Sequence, residues 1–394
     1  MQNKKISILV LTSTFPRNIN DWWGRFVFDL YTNMSKVDIV IVAPHAPEAK
    51  HSEVMQNIRV VRFPYFYPFH KQILSSGSGV LHSSKFNIFY LIQLIIYPIS
   101  QLIIMVTELL RNDFDIIHVH WIIPQGVNGL IGKLLFKKKL IVTIHGTDIF
   151  ALKKFNFLKK IILKNCNLCT VNSTETYNAV KKISPNTKIA IIPMGVDTKL
   201  FCPKQKKKSN SVIILGVGRL IKWKGFNYLI TAFKKLIKDY PNAQLILVGS
   251  GPEKCNLKKI SGKSIVFYGP CDRKSLAQIY SSADLFVSPS IHNKKTGERE
   301  AQGLVIGEAL ASGIPVVATN TGGIPDIIKD KTTGLLAQEK NSEDLYKKMK
   351  QLMNKKILRE KCIENGRKLI LEKYTWRKIT GEFEKIYSSL ATTV

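Results

Sequence analysis

The chain carries two successive series of short, continuously apolar segments, and this alternation constrains the fold more than any other feature of the sequence. The segments are rich in β-branched residues, as in "ISILVLTS" (6–13) and "VDIVIVAP" (37–44), and helix-like spans separate most of them. Strands that are apolar on both faces are typical of parallel sheets covered by helices on both sides. The sequence therefore predicts an α/β protein.

The second series starts after a basic, polar stretch, "CPKQKKKSNS" (202–211), which we interpret as a linker. The chain has 394 residues, and single cores rarely grow beyond about 250 residues. We therefore predict two Rossmann-like, doubly wound domains that face a central cleft. They cover residues 1–200 and 201–372, and a C-terminal helix at 373–394 crosses back to the first domain.

The composition is strongly basic, with 59 Lys and Arg against 28 Asp and Glu and a formal net charge of +31. Such a charge favours anionic partners, such as phosphates, nucleic acid or acidic lipid. A lysine-rich composition set by an AT-rich genome explains it equally well, because the lysines are widely spread. No known nucleic-acid-binding motif is present, so we expect no nucleic-acid partner.

Polar candidates follow the predicted strands of the first domain, where ligands of open parallel sheets bind. Gly24 in "DWWGRF" precedes a predicted helix and permits close approach of the backbone to a ligand. In "HGTD", His145 is a candidate active-site group, and Asp148 orients the loop or caps the next helix. His118 and His120 alternate on one strand, and we interpret them as packing or cleft lining rather than metal ligands.

A glycine-rich basic loop, "GVGRLIKWKG" (216–225), follows the first strand of the second domain. Arg219 and Lys224 are candidates for gripping a diphosphate, because glycine turns with nearby cations are how proteins hold phosphates. The dinucleotide fingerprint is absent, since Ile221 occupies the place of its third glycine. A P-loop and a nucleophile elbow are absent as well.

The segment "GEREAQGLVIGEALASGIPVVATNTGG" (297–323) holds two glutamates with seven residues between them. Gly303 and Leu304 are predicted to begin a helix whose unpaired amides can meet a phosphate. Glu308, about one turn further, is placed to accept hydrogen bonds from ribose hydroxyls. Glu300 lies in the preceding loop, where a carboxylate can stabilise positive charge near an anomeric carbon.

These residues resemble glycosyltransferase family 4, a large group of retaining enzymes with the GT-B fold, and the resemblance runs through nearly the whole chain. Its hallmark is the pair of glutamates, here "EAQGLVIGEA" (300–309), in which Ala301 and Gln302 replace the common Gly-Phe pair. "GGIPDII" also resembles the family, with Asp326 where glutamate is usual. "VGRLIKWKG" resembles the donor-phosphate loop, and "HGTD" the loop whose histidine lies near the transferred sugar. Of the family's usual glycine pair, only Gly24 is kept.

The resemblance implies transfer of a sugar from a nucleotide-diphosphate donor with retained anomeric configuration, without a metal or another cofactor. It assigns catalysis to Glu300 and His145. It assigns the acceptor-side loop to Gly24 and Asp148. The implied donor-binding residues are Arg219, Lys224, Gly303, Leu304 and Glu308. A nucleotide-sugar epimerase of GT-B fold is one alternative, and a basic, non-catalytic protein that binds nucleic acid or membrane is another.

Two segments suggest a membrane-associated acceptor. Residues 149–164, "IFALKKFNFLKKIILK", are predicted to form a basic amphipathic helix that can lie on an anionic membrane surface. Residues 86–110 are uncharged up to Glu108 and long enough for a membrane span, although Pro98 interrupts them. We expect this segment to lie against the first domain, with membrane insertion as the alternative.

The family often acts on lipid-linked acceptors, so the resemblance implies a saccharide or lipid-linked acceptor in the synthesis of a cell-surface polysaccharide or glycolipid. The apolar run at the N-terminus is too short for a signal sequence. We therefore expect a cytoplasmic protein, peripheral at the inner face of the cell membrane.

Overall fold

The computed structural model describes residues 5–19, 21, 23–74, 88–205 and 211–392. These residues divide into two compact units. Unit 1 comprises Met1–Asn172, Thr176–Ile192 and Ile379–Val394, and unit 2 comprises Ser173–Glu175 and Pro193–Lys378. The predicted domain limits at residues 200 and 372 stay a prediction, and residues 206–210 of the predicted linker lie outside the described residues.

Unit 1 is built on an eight-stranded sheet with the order β3-β4-β2-β1-β5-β6-β7-β8. Its strands are β1 Ile6–Leu11, β2 Val37–Pro44, β3 Ser52–Met55, β4 Ile58–Phe63, β5 Ile116–His120, β6 Lys139–Ile144, β7 Leu168–Val171 and β8 Ile189–Ile191. The helices between them are α1 Arg25–Thr32, α2 Ile88–Arg111, α3 Gln125–Phe136, α4 Thr147–Phe150, α5 Asn156–Asn165 and α6 Thr174–Ile183. The strand pairs are parallel except β3–β4, which is antiparallel at the edge.

Unit 2 is built on a six-stranded parallel sheet with the order β11-β10-β9-β12-β13-β14. Its strands are β9 Val212–Val217, β10 Ala243–Val248, β11 Ile265–Gly269, β12 Leu285–Ser288, β13 Val316–Thr319 and β14 Leu335–Ala337. Its helices are α7 Phe226–Asp239, α8 Lys254–Lys259, α9 Arg273–Ser282, α10 Leu304–Ala311, α11 Ile324–Ile327, α12 Ser342–Asn354 and α13 Lys356–Lys373. The last helix, α14 Trp376–Ala391, belongs to unit 1 from Ile379 onward.

The central strands are largely apolar because helices cover both faces of each sheet. In β1, Leu9 and Leu11 pack in the unit 1 core together with residues of α2. In β9, Ile214 and Leu215 belong to separate core clusters, since successive side chains point to opposite faces. The predicted α/β fold with two parallel sheets is therefore confirmed.

The strand order reverses between β1 and β5 in unit 1 and between β9 and β12 in unit 2. Helical connections leave such a switch point on opposite faces of the sheet, so the loops at its carboxyl edge diverge and leave a crevice for a ligand. The loops that contain Gly24, Arg219, Lys224 and Glu300 begin at these two points. The loop that contains His145 and Asp148 follows β6, the strand next to β5.

The prediction of one amphipathic helix over residues 149–164 is wrong. The segment is divided into the end of α4, a short 3₁₀ turn at Lys153–Phe155 and α5, with Leu152 at φ +53° between the first two. Lys159, one of the lysines of this basic segment, is buried, and its ammonium donates to the carbonyl oxygens of Ile149 (3.0 Å) and Ala151 (2.6 Å). Burial lowers the pKa of Lys159 to about 8.

Helix α2 is the one helix in the described part of the chain that is long and apolar enough to cross a membrane, judged by length and composition alone. It contains Pro98 in its interior. It packs against β2, β4 and α3 of unit 1, as expected for a segment that lies against the domain. Residues 86 and 87 of the predicted segment lie outside the described residues.

Candidate active site

The candidate site of unit 2 begins at the carboxyl ends of β9 and β12, where two loops meet. The loop after β9 contains Gly225 at φ +68°, and a Cβ atom there would lie 2.0 Å from the carbonyl oxygen of Pro289 in the loop after β12. Only glycine permits both this conformation and this approach. The close packing fixes the basic loop after β9 against the loop after β12, which leads to Glu300.

Glu300 is buried and paired with a cation. Its carboxylate Oε2 lies 2.5 Å from Lys224 Nζ and accepts a hydrogen bond from the hydroxyl of Ser290 at 3.2 Å. Gly322, at φ +57°, packs so closely on this loop that a Cβ atom would lie 2.0 Å from the Glu300 carbonyl oxygen. The carboxylate is therefore held by a charge, a hydroxyl and a rigid backbone. A lysine ammonium has three N–H groups, so Lys224 keeps donors for a second anion.

Arg219 lies in the same loop, half-buried and without a side-chain hydrogen bond or ion pair within the described residues. Burial lowers the pKa of Arg219, and the charges of Glu300 and Glu298 oppose that shift. Because an arginine stays protonated at neutral pH, the loop holds a partly desolvated cation beside the Lys224–Glu300 pair. Such a group is suited to an anionic ligand.

Helix α10 presents its N-terminus in this region. Gly303 is its N-cap residue at φ +83°, and the backbone N–H groups of Leu304 and Val305 make no hydrogen bond within the residues that the structure describes. Glu308 lies one turn further, half-buried, and its Oε2 accepts a hydrogen bond from the Tyr280 hydroxyl at 3.1 Å. The unpaired amides and the helix dipole favour an anion at this end of α10.

The predicted unit 1 residues follow β1, at the corresponding switch point, and β6, the strand beyond β5. Gly24 is the N-cap residue of α1 at φ +66°, directly after the loop that follows β1. Asp148 is buried, and its carboxylate accepts hydrogen bonds from the backbone N–H groups of Ile122 (3.0 Å), His145 (3.2 Å) and Gly146 (3.0 Å). Asp148 therefore ties the loop after β6 to the loop after β5. Burial raises the pKa of its carboxyl group, and these backbone donors oppose that shift.

His145 is enclosed by aromatic rings. Its ring centroid lies 4.6 Å from that of Trp121, 5.1 Å from that of Phe26 and 5.1 Å from that of His120, which it stacks upon. This burial lowers the pKa of His145 to about 3. The imidazole is neutral at physiological pH, so it can donate or accept one hydrogen bond at its outer nitrogen but carries no charge.

His118 and His120 are fully buried on β5, in agreement with the interpretation that they pack in the domain. Burial lowers the pKa of His118 to about 3. No group of three or more His, Cys, Asp or Glu side chains arranged to hold a metal ion occurs in residues 5–19, 21, 23–74, 88–205 and 211–392.

Two family models match the chain, one for each part. Residues 24–200 match the model described as Glycosyltransferase Family 4, and residues 197–369 match the model described as Glycosyl transferases group 1. This chain belongs to glycosyltransferase family 4. It is a glycosyltransferase with the GT-B fold, as the resemblance in its motifs predicted.

Known proteins agree with this assignment. N-acetyl-alpha-D-glucosaminyl L-malate synthase of Bacillus anthracis is 27% identical over 296 residues, which cover 70% of this chain and 75% of that protein. Sucrose-phosphate synthase of Thermosynechococcus elongatus has the same fold, with a TM-score of 0.78 and 20% identity over 99% of this chain and 100% of that one. HepE of Anabaena, solved with UDP and glucose, has a TM-score of 0.70 and 18% identity over 98% and 100% of the two chains.

The glycosyltransferase site contains residues that the sequence did not single out. Ser290, which holds Glu300, follows β12 in a loop with no recognisable motif. Gly322 is part of "GGIPD", a segment noted for its resemblance but given no role. Both act by fixing the Glu300 loop, and neither position shows in the sequence which partner it contacts.

The departure from the family motif at Gln302 has a structural role. Its side-chain amide accepts from the Met194 N–H (2.7 Å) and donates to the Met194 carbonyl (2.8 Å), and both residues are buried. The Gln302 side chain thus pairs with both backbone polar groups of Met194, as a neighbouring strand would. Met194 belongs to the segment 193–197, which precedes the first strand of unit 2. The Glu300 loop is anchored to that segment through one side chain.

We expect Gln302→Leu to lower the free energy of unfolding by about 2–4 kcal/mol, because it leaves two buried backbone groups of Met194 without partners. Urea unfolding followed by circular dichroism measures this. Gln351→Leu, on the half-exposed surface of α12, is the matched control and should change stability by less than about 0.5 kcal/mol. Equal stability of the Gln302→Leu variant and the control would contradict the anchoring role.

Proposed function

We propose that this glycosyltransferase moves a sugar from a nucleotide-diphosphate sugar to an acceptor hydroxyl with retention of the anomeric configuration. The carrying observation is the cluster in unit 2. A buried carboxylate, Glu300, is paired with Lys224. Beside this pair lie the N-terminus of α10 and the guanidinium of Arg219, which makes no ion pair with any residue that the structure describes. A carboxylate can stabilise positive charge on one part of a substrate, and the two cations and the amides of α10 can stabilise negative charge on an adjacent part.

The transition state of glycosyl transfer has this charge pattern. As the bond between the anomeric carbon and the diphosphate oxygen breaks, positive charge develops on the sugar and negative charge on the leaving diphosphate. In this proposal, Glu300 stabilises the sugar, while Arg219, Lys224 and the α10 amides stabilise the diphosphate. The acceptor oxygen attacks from the face that the diphosphate leaves, and its proton passes to the leaving phosphate oxygen. Retention follows, and the chemistry requires neither metal nor other cofactor.

The donor site in this proposal includes Glu308. Tyr280 orients its carboxylate, which accepts hydrogen bonds from the two ribose hydroxyls of the nucleotide. HepE, which shares the fold, was solved with UDP and glucose, and this supports a nucleoside diphosphate as the ligand. In unit 1, the loops that contain Gly24 and Asp148 form the acceptor side, and His145 takes part in catalysis.

A thermal-shift screen with UDP, GDP, ADP and their sugar conjugates tests the donor class. A ligand at a hundred times its dissociation constant adds about 2.7 kcal/mol to the native state, which raises the melting temperature measurably. We expect one base to raise it in the wild type and to have a weaker effect in Glu308→Ala. The absence of a shift with every nucleotide and conjugate would count against the proposed donor site.

We also propose that unit 1 binds the surface of an anionic membrane from the cytoplasmic side and takes a lipid-linked or saccharide acceptor there. Helix α2 supports this, because its outward face is apolar, whereas the outward face of an ordinary helix of a soluble protein is polar. Its polar side chains face the domain. Gln93 bonds to the backbone of Lys71 and Ile73, each at 3.0 Å, and Glu108 pairs with Arg59.

The outward face of α2 is apolar and exposed. Its exposed apolar residues are Ile88, Phe89, Leu91, Ile92, Ile95, Ile96, Ile99, Ile103 and Leu110. Helix α3, which contacts both α2 and α5, adds exposed Leu134 and Leu135, and α5 adds Phe157. Exposed lysines accompany α5 and its preceding turn, namely Lys153, Lys154, Lys160 and Lys164. An apolar surface with adjacent cations fits the interface of an anionic bilayer.

We expect the double variant Ile95→Asp and Ile99→Asp to weaken binding to anionic vesicles at least about tenfold, because two apolar side chains no longer enter the bilayer interface. Co-sedimentation with vesicles of phosphatidylglycerol and phosphatidylcholine measures this. The matched control is Ile357→Asp with Leu371→Asp, two exposed apolar positions on α13. Equal vesicle binding by both double variants, or no binding by the wild type, would contradict the membrane proposal.

A further inference from the structure

A continuous chain of buried hydrogen bonds runs from His145 into the interior of unit 1. His145 Nε2 lies 2.9 Å from His120 Nδ1, and His120 Nε2 lies 2.7 Å from the Tyr31 hydroxyl. The same hydroxyl lies 2.8 Å from His118 Nδ1. His118, His120 and Tyr31 are fully buried, so each of these contacts lies in a medium where hydrogen bonds are strong.

At its inner end, this series of hydrogen bonds reaches three hydroxyl groups. Tyr387 on α14 places its hydroxyl 2.8 Å from His118 Nδ1. His118 Nε2 lies 2.6 Å from Thr143 Oγ1, which in turn contacts Thr170 Oγ1. Within the described residues, the hydroxyl of Thr170 has no other hydrogen-bond partner, so Thr143 is the acceptor that its proton can reach.

The three rings are neutral at physiological pH, so each carries one proton, and the arrangement of these protons is restricted. One arrangement begins with Thr170 donating to Thr143, which donates to His118 Nε2. His118 Nδ1–H then donates to Tyr31, and Tyr31 donates to His120 Nε2. His120 Nδ1–H finally donates to His145 Nε2, so the proton of His145 resides on Nδ1.

The opposite arrangement is less favourable. A proton on His145 Nε2 requires donation to His120 and then to Tyr31, which donates to His118 directly or through the Tyr387 hydroxyl. His118 then donates to Thr143, and Thr143 donates to Thr170. The hydroxyl proton of Thr170 then has no acceptor, which is one more orphan than in the first arrangement. A buried donor without a partner is costly, so the first arrangement is favoured by at least about tenfold.

We propose that His120 and Tyr31 are positioning residues that hold His145 as the neutral, Nδ1-protonated tautomer, so that His145 serves as a hydrogen-bond donor to a substrate oxygen and not as a base. The Nδ1 atom of His145 makes no hydrogen bond within the part of the chain that the structure describes, and the side chain is only half-buried. The role on substrate rests on the proposed function, whereas the tautomer is a property of the protein alone.

Nuclear magnetic resonance of the full chain with ¹⁵N-labelled histidine, in the absence of substrate, tests the tautomer. Long-range ¹H–¹⁵N spectra show which ring nitrogen of each histidine carries the proton, and His145→Gln assigns the signals. We expect Nδ1–H on His145 in the wild type. In Tyr31→Phe, His120 Nε2 loses its donor, and we expect His145 to become a mixture of the two tautomers.

Tyr387→Phe is the matched control. It removes a hydroxyl group that contacts both His118 and Tyr31, but it leaves every contact between Thr170 and His145 in place. We expect the His145 tautomer to be unchanged in this variant. Thr170→Val is a second control. The Thr143 hydroxyl then ends the series, and its proton still has an acceptor, His118 Nε2, only in the first arrangement, so we expect the His145 tautomer to be unchanged.

Activity provides the functional readout. We expect Tyr31→Phe to lower kcat about tenfold, because His145 is no longer held in the tautomer that donates a hydrogen bond to the substrate. The KM for the nucleotide sugar should change less than about threefold. The pH dependence of kcat should show no step near the ordinary histidine pKa in the wild type. A proton on Nε2 of His145 in the wild type, or an unchanged His145 tautomer in Tyr31→Phe, would overturn the proposal whether or not glycosyl transfer is observed.

Discussion

Glu300→Gln is expected to lower kcat by about 10²–10³-fold while changing nucleotide affinity by less than about threefold. The carboxylate is buried beside Lys224 and Ser290, and in the proposed mechanism its charge is needed only when the anomeric carbon becomes cationic. Glutamine keeps the size and one acceptor oxygen but removes that charge. Since an interaction made mainly in the transition state affects turnover and not binding, the loss should be confined to kcat.

Steady-state kinetics with isothermal titration of the nucleoside diphosphate separates these two effects. Glu343→Gln is the matched control, because it removes the same charge from a surface ion pair with Lys235 in unit 2. It should leave kcat within about twofold of the wild type, as is usual for exposed pairs. An equal loss of nucleotide affinity and turnover in Glu300→Gln would assign Glu300 to donor binding instead of catalysis.

Arg219→Gln is expected to weaken binding of the nucleoside diphosphate at least about a hundredfold without loss of stability. Two charge-assisted hydrogen bonds to a diphosphate contribute about 1.5–3 kcal/mol each, so their removal dominates the binding energy. The fold loses nothing comparable, because the side chain makes no hydrogen bond within the described residues and its burial is unfavourable for the charge. The melting temperature without ligand should be equal to or higher than that of the wild type.

Weaker nucleotide binding at an unchanged melting temperature distinguishes a binding residue from one that supports the fold. Substitution of a residue that only supports the fold would lower both the affinity and the melting temperature. Arg219→Lys should restore part of the affinity, because a lysine supplies the charge without the bidentate fork. Arg359→Gln on α13 is the control for loss of a surface arginine and should leave affinity unchanged. A variant of Arg219 that binds the nucleotide as tightly as the wild type would remove this residue from the donor site.

The fold could be predicted from local patterns because its strands are buried on both faces. The run "VDIVIVAP" forms β2 with the bounds that the pattern predicts. Two strands were missed for the same physical reason. β3, "SEVM", is a short antiparallel edge strand with exposed polar residues, and β14 has only three residues. Neither carries the continuous apolar signal that a central strand requires.

The geometry of the candidate site could be predicted only in part. The motif identified Glu300 and Lys224, but their contact joins residues far apart in the chain and depends on the close approach of Gly225 to Pro289. The burial of Lys159 was missed because two neighbouring carbonyl groups, which the sequence does not place, bind its ammonium. Such contacts follow from tertiary packing and have no local sequence signal.

Product analysis tests the central claim most directly. The wild type and Glu300→Gln are incubated with the nucleotide sugar found in the thermal-shift screen and with a membrane extract or a synthetic lipid-linked acceptor. Proton nuclear magnetic resonance then follows the anomeric signals of donor and product. We expect release of the nucleoside diphosphate and a product with the anomeric configuration of the donor, and a much slower reaction in Glu300→Gln. An epimerised nucleotide sugar, a product of inverted configuration, or equal rates in the two proteins would contradict it.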